Sequence, residues 1–188
     1  MMKQIIISGF GGQGVMSIGK NLVEAGMAEG FHVTWAPSYG PEMRGGTANC
    51  SVVISERPIG SPVFTHPTEL IAMNAPSIDK FGMQVRPGGL VLVNSSVVAM
   101  EFCRSDVKTI HVPCEGIAYE IGNPKVANMV MLGAYIAATG ALQQETIEEM
   151  IAQMFTGPKA KLVPMNLEAL HRGMACADPE FDPIPRSA

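Results

Sequence analysis

The first residues with the spacing of a binding site are three glycines near the start of the chain. Gly9, Gly11 and Gly14 match the pattern G-x-G-x-x-G, and they follow a β-branched run and precede a helical pattern. Backbone N–H groups at the start of a helix attract anions, so the pattern fits a phosphate or a dinucleotide. A dinucleotide also needs an acidic residue at the end of the second strand, to bind the ribose hydroxyls. That strand ends at residues 34–37 as Thr-Trp-Ala-Pro, which contains no acid.

Two interpretations of this glycine loop stay open. The loop could bind an anion, or its glycines could let the helix pack closely on the sheet and let another chain approach. Gln13 is unusual for a dinucleotide site and could instead form a hydrogen bond with a neighbouring backbone group. The candidate binding or interface residues of the loop are Gly9, Gly11, Gly12, Gln13 and Gly14.

A second loop, at residues 38–46, combines turn residues with side chains that can bind. Tyr39 can stack, Glu42 can accept hydrogen bonds, and the fork of Arg44 matches the geometry of carboxylate and phosphate groups. Arg44 either binds an anionic group or forms a network with Glu42 or with the backbone that only shapes the loop. The candidate residues of this loop are Ser38, Tyr39, Gly40, Pro41, Glu42, Arg44, Gly45 and Gly46.

The cysteines and histidines do not have the spacing of a metal site. None of the four cysteines belongs to a C-x-x-C pair, which excludes the usual cluster and structural zinc patterns. His111 and Cys114 have the spacing of half a metal site, but no second pair lies nearby, and packing at a strand end is the simpler interpretation. We predict no metal site, no catalytic residue within this chain, and free thiols in a cytoplasmic protein.

The composition indicates a folded protein, and its low charge content favours an apolar surface that a partner covers. Of the 188 residues 47% are hydrophobic and 16% are charged, which excludes disorder, and the net charge of −4 does not favour nucleic-acid binding. Residues 126–142 are apolar but contain Asn128, Gly133 and Gly140. We interpret them as a helix in the core or against another subunit, not as a membrane span, and self-association of the isolated chain is one way to cover it.

Alternating strand and helix patterns predict an α/β fold. Strands are predicted at 3–8, 31–36, 47–55, 68–74, 90–96 and 107–113, and helices after the first strand, near 77–83 and at 115–121, 125–139, 145–155 and 165–172. The expected architecture is a three-layer α/β/α domain with a mostly parallel, Rossmann-like sheet and a helical C-terminal part. We predict one domain over residues 1–175, a helix end at Gly173 with a left-handed cap, and an extended or loose tail over 176–188.

Two stretches together carry a family resemblance. "SGFGGQGV" (8–15) and "SYGPEMRGGTANCSVVIS" (38–55) resemble the gamma subunit of the 2-oxoacid:ferredoxin oxidoreductases, which convert pyruvate, 2-oxoglutarate or branched 2-oxoacids to acyl-CoA. Three further stretches agree in the same order: "LIAMN" (70–74), "PGGLVLVNSS" (87–96) and "GNPKVANMVMLGA" (122–134). The likeness covers residues 3–172, and the two glycine motifs in that order are its specific part.

The resemblance implies a subunit of a larger enzyme that uses thiamine diphosphate, magnesium, coenzyme A and iron–sulfur clusters. In that family the thiamine and the clusters are held mainly by other subunits, so alpha and beta subunits, and often a ferredoxin-like delta subunit, would be partners. Tyr39, Glu42 and Arg44 would then reach the thiamine-binding subunit or line the path of the acyl-CoA product. From the residues alone, a stand-alone nucleotide-binding protein and a non-catalytic assembly scaffold stay open as alternatives.

Overall fold

A six-stranded sheet organises the fold. The computed structural model describes residues 1–38, 47–99, 102 and 104–177. All six predicted strands are present, with ends shifted by at most two residues, and they lie in the order β2-β3-β1-β4-β5-β6. The strands are β1 (Met2–Phe10), β2 (His32–Ser38), β3 (Thr47–Ser55), β4 (Glu69–Ala72), β5 (Leu90–Asn94) and β6 (Lys108–Val112).

The helices also lie where the sequence pattern predicts them. They are α1 (Val15–Ala28), α2 (Ala75–Phe81), α3 (Cys114–Ile121), α4 (Ala127–Thr139), α5 (Gln144–Met154) and α6 (Val163–Met174). Short 3-10 turns extend α2 and precede α4 and α6. The α/β prediction is therefore confirmed, including the change to helices alone after β6.

The sheet is mixed, and one strand runs against the others. β1, β4, β5 and β6 pair in parallel, whereas β3 is antiparallel to both β1 and β2. A parallel connection needs a dozen or more residues, but only residues 39–46 separate β2 from β3. These two strands therefore pair directly with each other, and β3 separates β2 from β1.

The two faces of the sheet carry helical layers of different thickness. On one face, buried residues of α1, α3, α4, α5 and α6 join the larger core with Ile5, Ile7, Val52 and Ile54. On the other face, Ile78 and Phe81 of α2 pack with Ile6, Leu70 and Val91 in a smaller core. Apolar side chains on both faces of β4 and β5 give the continuous apolar runs typical of central parallel strands.

Helix α4 is buried on nearly every side within this chain. All of its residues except Asn128 and Ala137 are buried, and the sheet, α1, α3 and α6 surround it. Among the described residues no helix has the length and apolar character needed to cross a membrane. The apolar stretch at 126–142 is thus a core helix, and its burial does not require self-association.

The C-terminal region corrects one prediction and leaves another outside the described residues. Gly173 does not end a helix with a left-handed cap, because α6 continues to Met174 and the φ angle of Gly173 is not positive. A Cβ atom at Gly173 would overlap the carbonyl oxygen of Val130, so the glycine lets α6 lie against α4. Of the tail predicted at 176–188, only Cys176 and Ala177 are described.

Candidate functional site

The glycine loop occupies the carboxyl end of the central strand β1. Gly9 lies within β1, paired with Ala48 of β3, and is buried. Gly11 and Gly12 are exposed in the turn that follows, and Gly12 has a φ angle of 97°. Gly14 caps α1 with a φ angle of 76°, a left-handed conformation that glycine adopts without strain. Only the middle of the loop is therefore open to a ligand or a partner.

Gln13 closes the loop with its own side chain. Its Oε1 accepts a hydrogen bond from the backbone N–H of Phe10 at 2.7 Å, and its Nε2 donates to the carbonyl oxygen of Met73 at 2.8 Å. The backbone N–H of Gln13 also donates to the carbonyl oxygen of Phe10. The side-chain amide of Gln13 thus links the end of β1 to the end of β4. Because the Phe10 N–H donates to this amide, it is not free to donate to an anion.

This link crosses the point where the direction of the sheet connections reverses. Neighbouring strands β1 and β4 are followed by α1 and α2, which pack on opposite faces of the sheet. In open α/β sheets this crevice at the carboxyl ends of the strands is the usual ligand position. A Cβ atom at Gly9 would lie 2.7 Å from the Cβ of Met73 and 2.8 Å from Oε1 of Gln13. The side chain of Gln13 therefore occupies part of the crevice in which a dinucleotide would lie.

The N-terminus of α1 has the partial positive charge of a helix dipole. No side chain of the described residues caps the helix, and its first turn contains no acidic residue. A Cβ atom at Gly14 would lie 2.7 Å from the Cβ of Asn128, so α4 begins directly beside the start of α1. The N–H groups and the helix dipole at this point favour a negative group, such as a carboxylate or a phosphate.

A buried polar network supports the crevice from beneath. The Ser77 hydroxyl donates to Oδ1 of Asn74 and accepts from the hydroxyl of Ser8 at 2.8 Å. Oδ1 of Asn74 also accepts the Ser77 N–H and so caps α2. Asn74 is 2% exposed, and its Nδ2 makes no hydrogen bond with the described residues. Sequence reasoning missed this role of Asn74, although Asn before Ala-Pro is a recognisable helix start.

The structure brings both ends of the second loop to the same edge. Ser38 is exposed at the end of β2 and pairs with Asn49, while Thr47 at the start of β3 pairs with Phe10. Because Phe10 lies where the glycine loop begins, the second loop ends on β3 directly beside the start of the glycine loop. The other candidates in the second loop lie outside the described residues: Tyr39, Gly40, Pro41, Glu42, Arg44, Gly45 and Gly46.

Two of the described thiols, Cys50 and Cys114, are buried and held in the protonated form. Burial raises the pKa of the Cys50 thiol to about 11, and burial followed by the charge of Glu115 raises the pKa of Cys114. Both remain protonated at neutral pH, and a thiol is a far weaker nucleophile than a thiolate. His111 is exposed, and in the described part of the chain no three His, Cys, Asp or Glu side chains group as metal ligands.

Comparison with known proteins shows which family this chain matches. The family model described as pyruvate ferredoxin/flavodoxin oxidoreductase matches residues 4–176. The ketoisovalerate oxidoreductase subunit VorA of Methanothermobacter thermautotrophicus is 44% identical over 172 residues, which are 90% of this chain and 35% of the relative. The chain therefore spans 35% of the length of that curated relative.

Two solved structures share the fold. The gamma subunit of a keto/oxoacid ferredoxin oxidoreductase from Geobacter sulfurreducens has a TM-score of 0.79 at 30% identity, covering 93% of this chain and 98% of that one. The 2-oxoglutarate:ferredoxin oxidoreductase from Magnetococcus marinus, with 2-oxoglutarate, coenzyme A and succinyl-CoA bound, has a TM-score of 0.86 at 24% identity. That match covers 94% of this chain and 31% of the other, so the same fold forms one part of a much longer chain.

Proposed function

The chain belongs to the pyruvate ferredoxin/flavodoxin oxidoreductase family, and from this premise we propose that it is the gamma subunit of a multi-subunit 2-oxoacid:ferredoxin oxidoreductase. The complete enzyme would decarboxylate a 2-oxoacid oxidatively to an acyl-CoA and pass the electrons to ferredoxin. This chain would not be active alone, and residues 1–175 would form its single gamma-type domain in a cytoplasmic enzyme. The substrate differs between relatives, one being named for ketoisovalerate and one for 2-oxoglutarate.

The observation that carries the proposal is the position of the two loops. Phe10 of the glycine loop pairs with Thr47, the residue after the second loop, so both loops start from one edge of the sheet. At that edge Gln13 occupies part of the crevice of this chain, while Gly11 and Gly12 remain exposed. Such an edge offers a surface that completes a site on another subunit better than it offers a pocket of its own.

The cofactors of the proposed enzyme would be held mainly by other subunits. Thiamine diphosphate, magnesium and the iron–sulfur clusters belong to the alpha, beta and delta subunits in this proposal. Coenzyme A is bound in the related Magnetococcus enzyme, and its anionic groups suit the uncapped start of α1 and the fork of Arg44. We therefore propose that the two loops face the coenzyme A side of the assembled site.

The subunit assignment is tested by co-expressing the chain with thiamine-binding alpha and beta subunits from the same source. We expect a stable complex whose 2-oxoacid-dependent, coenzyme A-dependent reduction of ferredoxin requires this chain. A complex that keeps full activity without the chain would contradict the proposal. Saturable binding of NAD, FAD or ATP to the isolated chain would instead support the stand-alone nucleotide-binding alternative.

The role of the second loop is tested with Arg44→Ala in the reconstituted enzyme. We expect assembly to persist and turnover to fall about tenfold or more, as when a charged group loses its partner in a site. Arg57→Ala is the matched control, because Arg57 is an exposed arginine just after β3, at the opposite edge of the sheet. Unchanged turnover in Arg44→Ala would contradict a role of Arg44 in the reaction and would favour the assembly-scaffold alternative.

A further inference from the structure

A groove runs between α1 and α5 on the outside of the thicker helical layer. Its volume is about 640 Å³. The side of α1 that lines it contributes residues three or four apart: Ser17, Lys20, Asn21, Glu24, Ala25 and Ala28. From Ser17 to Ala28 this stripe spans about 16 Å, or three helical turns. A groove of this length between two helices has the dimensions that accept a third helix.

The lining of the groove is mixed: the α5 wall contributes two methionines together with Thr146, Glu149 and Gln153. Ala25 is buried at the floor, while Met150 is half buried and Met154 is 39% exposed on the α5 side. Methionine side chains adapt to different partner shapes and are common at surfaces that accept helices. Asn21 is 1% exposed at the floor, and its Nδ2 donates a hydrogen bond to the sulfur of Met129 at 3.9 Å.

The charges of the groove are unbalanced towards the negative. Lys20 and Glu24 pair with each other at 3.3 Å across one turn of α1. Glu149 on α5 lines the same groove and has no hydrogen bond or ion pair among the described residues. A complementary occupant therefore needs one cationic side chain opposite Glu149, together with small or flexible apolar side chains against Ala25 and Met150.

We propose that this groove receives an amphipathic helix of another oxidoreductase subunit, with a Lys or Arg facing Glu149 and an apolar stripe facing Met150 and Met154. The inference rests on the proposed function, because it requires that the chain assemble with other subunits. It adds an interface on the helical layer, formed by elements other than the two loops at the carboxyl edge. Helix insertion would cover methionines that the isolated chain leaves exposed.

The experiment measures the affinity of this chain for the co-expressed complex of the other subunits, by titration with the purified chain. Glu149→Lys should weaken binding about tenfold or more, because it places a cation opposite the cation of the docked helix. Glu145→Lys is the matched control: it lies on the same helix, is exposed and does not line the groove. Ala28→Trp, which fills one end of the groove, should also weaken binding, whereas Met27→Trp outside the groove should not.

Four outcomes decide between the proposals. Selective loss of affinity in Glu149→Lys and Ala28→Trp supports the groove. Equal loss in Glu149→Lys and Glu145→Lys overturns it, since that result reports only overall charge. Wild-type affinity in both groove variants, with normal thermal unfolding, also overturns it while the subunit assignment stands. Failure of the wild-type chain to assemble with the other subunits overturns the assignment and the groove together.

Discussion

Gly133 and Gly173 lie where α4 crosses α6, whereas Gly12 and Gly14 lie in the loop between β1 and α1. At the helix crossing, a Cβ atom on Gly133 would overlap the carbonyl oxygen of Leu170, and one on Gly173 would overlap that of Val130. Both crossing glycines have ordinary φ angles. In the loop the reverse holds for Gly12, which has a positive φ angle and, among the described residues, no atom within 4 Å of its Cβ position.

The difference separates two physical reasons for a glycine. The crossing glycines are required by packing, because two helix backbones touch there and no side chain fits between them. Gly12 is required by backbone conformation alone, whereas Gly14 combines a positive φ angle with a close contact to Asn128. A glycine pattern therefore identifies a binding loop only when the surroundings of each glycine leave room for something to bind.

The largest expected effect is at the crossing. Gly173→Ala should lower the free energy of unfolding by about 3 kcal/mol, because the new methyl group must push α6 away from the buried helix α4. Gly133→Ala should have an effect of similar size. Denaturant unfolding of the isolated chain, followed by circular dichroism, measures both.

Gly116→Ala is the control for the crossing. Gly116 lies in α3, and the nearest atoms to its Cβ position are 3.9 Å away. Alanine has a higher helix propensity than glycine, so this variant should raise the free energy of unfolding by up to about 1 kcal/mol. Equal changes in Gly173→Ala and Gly116→Ala would contradict the close approach of α4 and α6.

Periodic patterns predicted most of the fold, because burial imposes a regular spacing on strands and helices. Val15, Ile18, Leu22 and Ala25 recur on one side of α1, and all four are buried. The same kind of reasoning placed Gly173 at a helix end, since a glycine near the end of a helical pattern usually caps it. Only the crossing partner, Val130 of α4, reveals the packing role, and that contact joins residues far apart in the chain.

The candidate site was less predictable for the same reason. The glycine spacing indicated a loop after β1, but not that Gln13 would reach Met73 on β4 and fill the crevice. Nor did the sequence pattern place β3 between β1 and β2, although the short separation at residues 39–46 favours an antiparallel pair. Local spacing predicts which loops exist, whereas the neighbours of each loop depend on strand order.

The loop glycines should separate into two classes when they are replaced. Gly14→Ala should lower the free energy of unfolding by about 2 kcal/mol. Alanine is strained at a φ angle of 76°, and its Cβ would lie 2.7 Å from Asn128. Gly12→Ala should lose less, since it carries the backbone strain without the contact. Thermal unfolding of the two variants measures the difference. A larger loss in Gly12→Ala would contradict the placement of Asn128 beside α1.

The smallest effect is expected from the side chain that closes the loop. Gln13→Leu keeps similar bulk but removes the hydrogen bonds to Phe10 and Met73, and should cost about 1 kcal/mol of unfolding free energy. Gln143→Leu is the control, because Gln143 is exposed and its side chain makes no capping bond. Amide hydrogen exchange should quicken at Phe10 only in Gln13→Leu. If exchange at Phe10 stays slow, Gln13 does not hold this loop, and the open crevice of a nucleotide site becomes the better description.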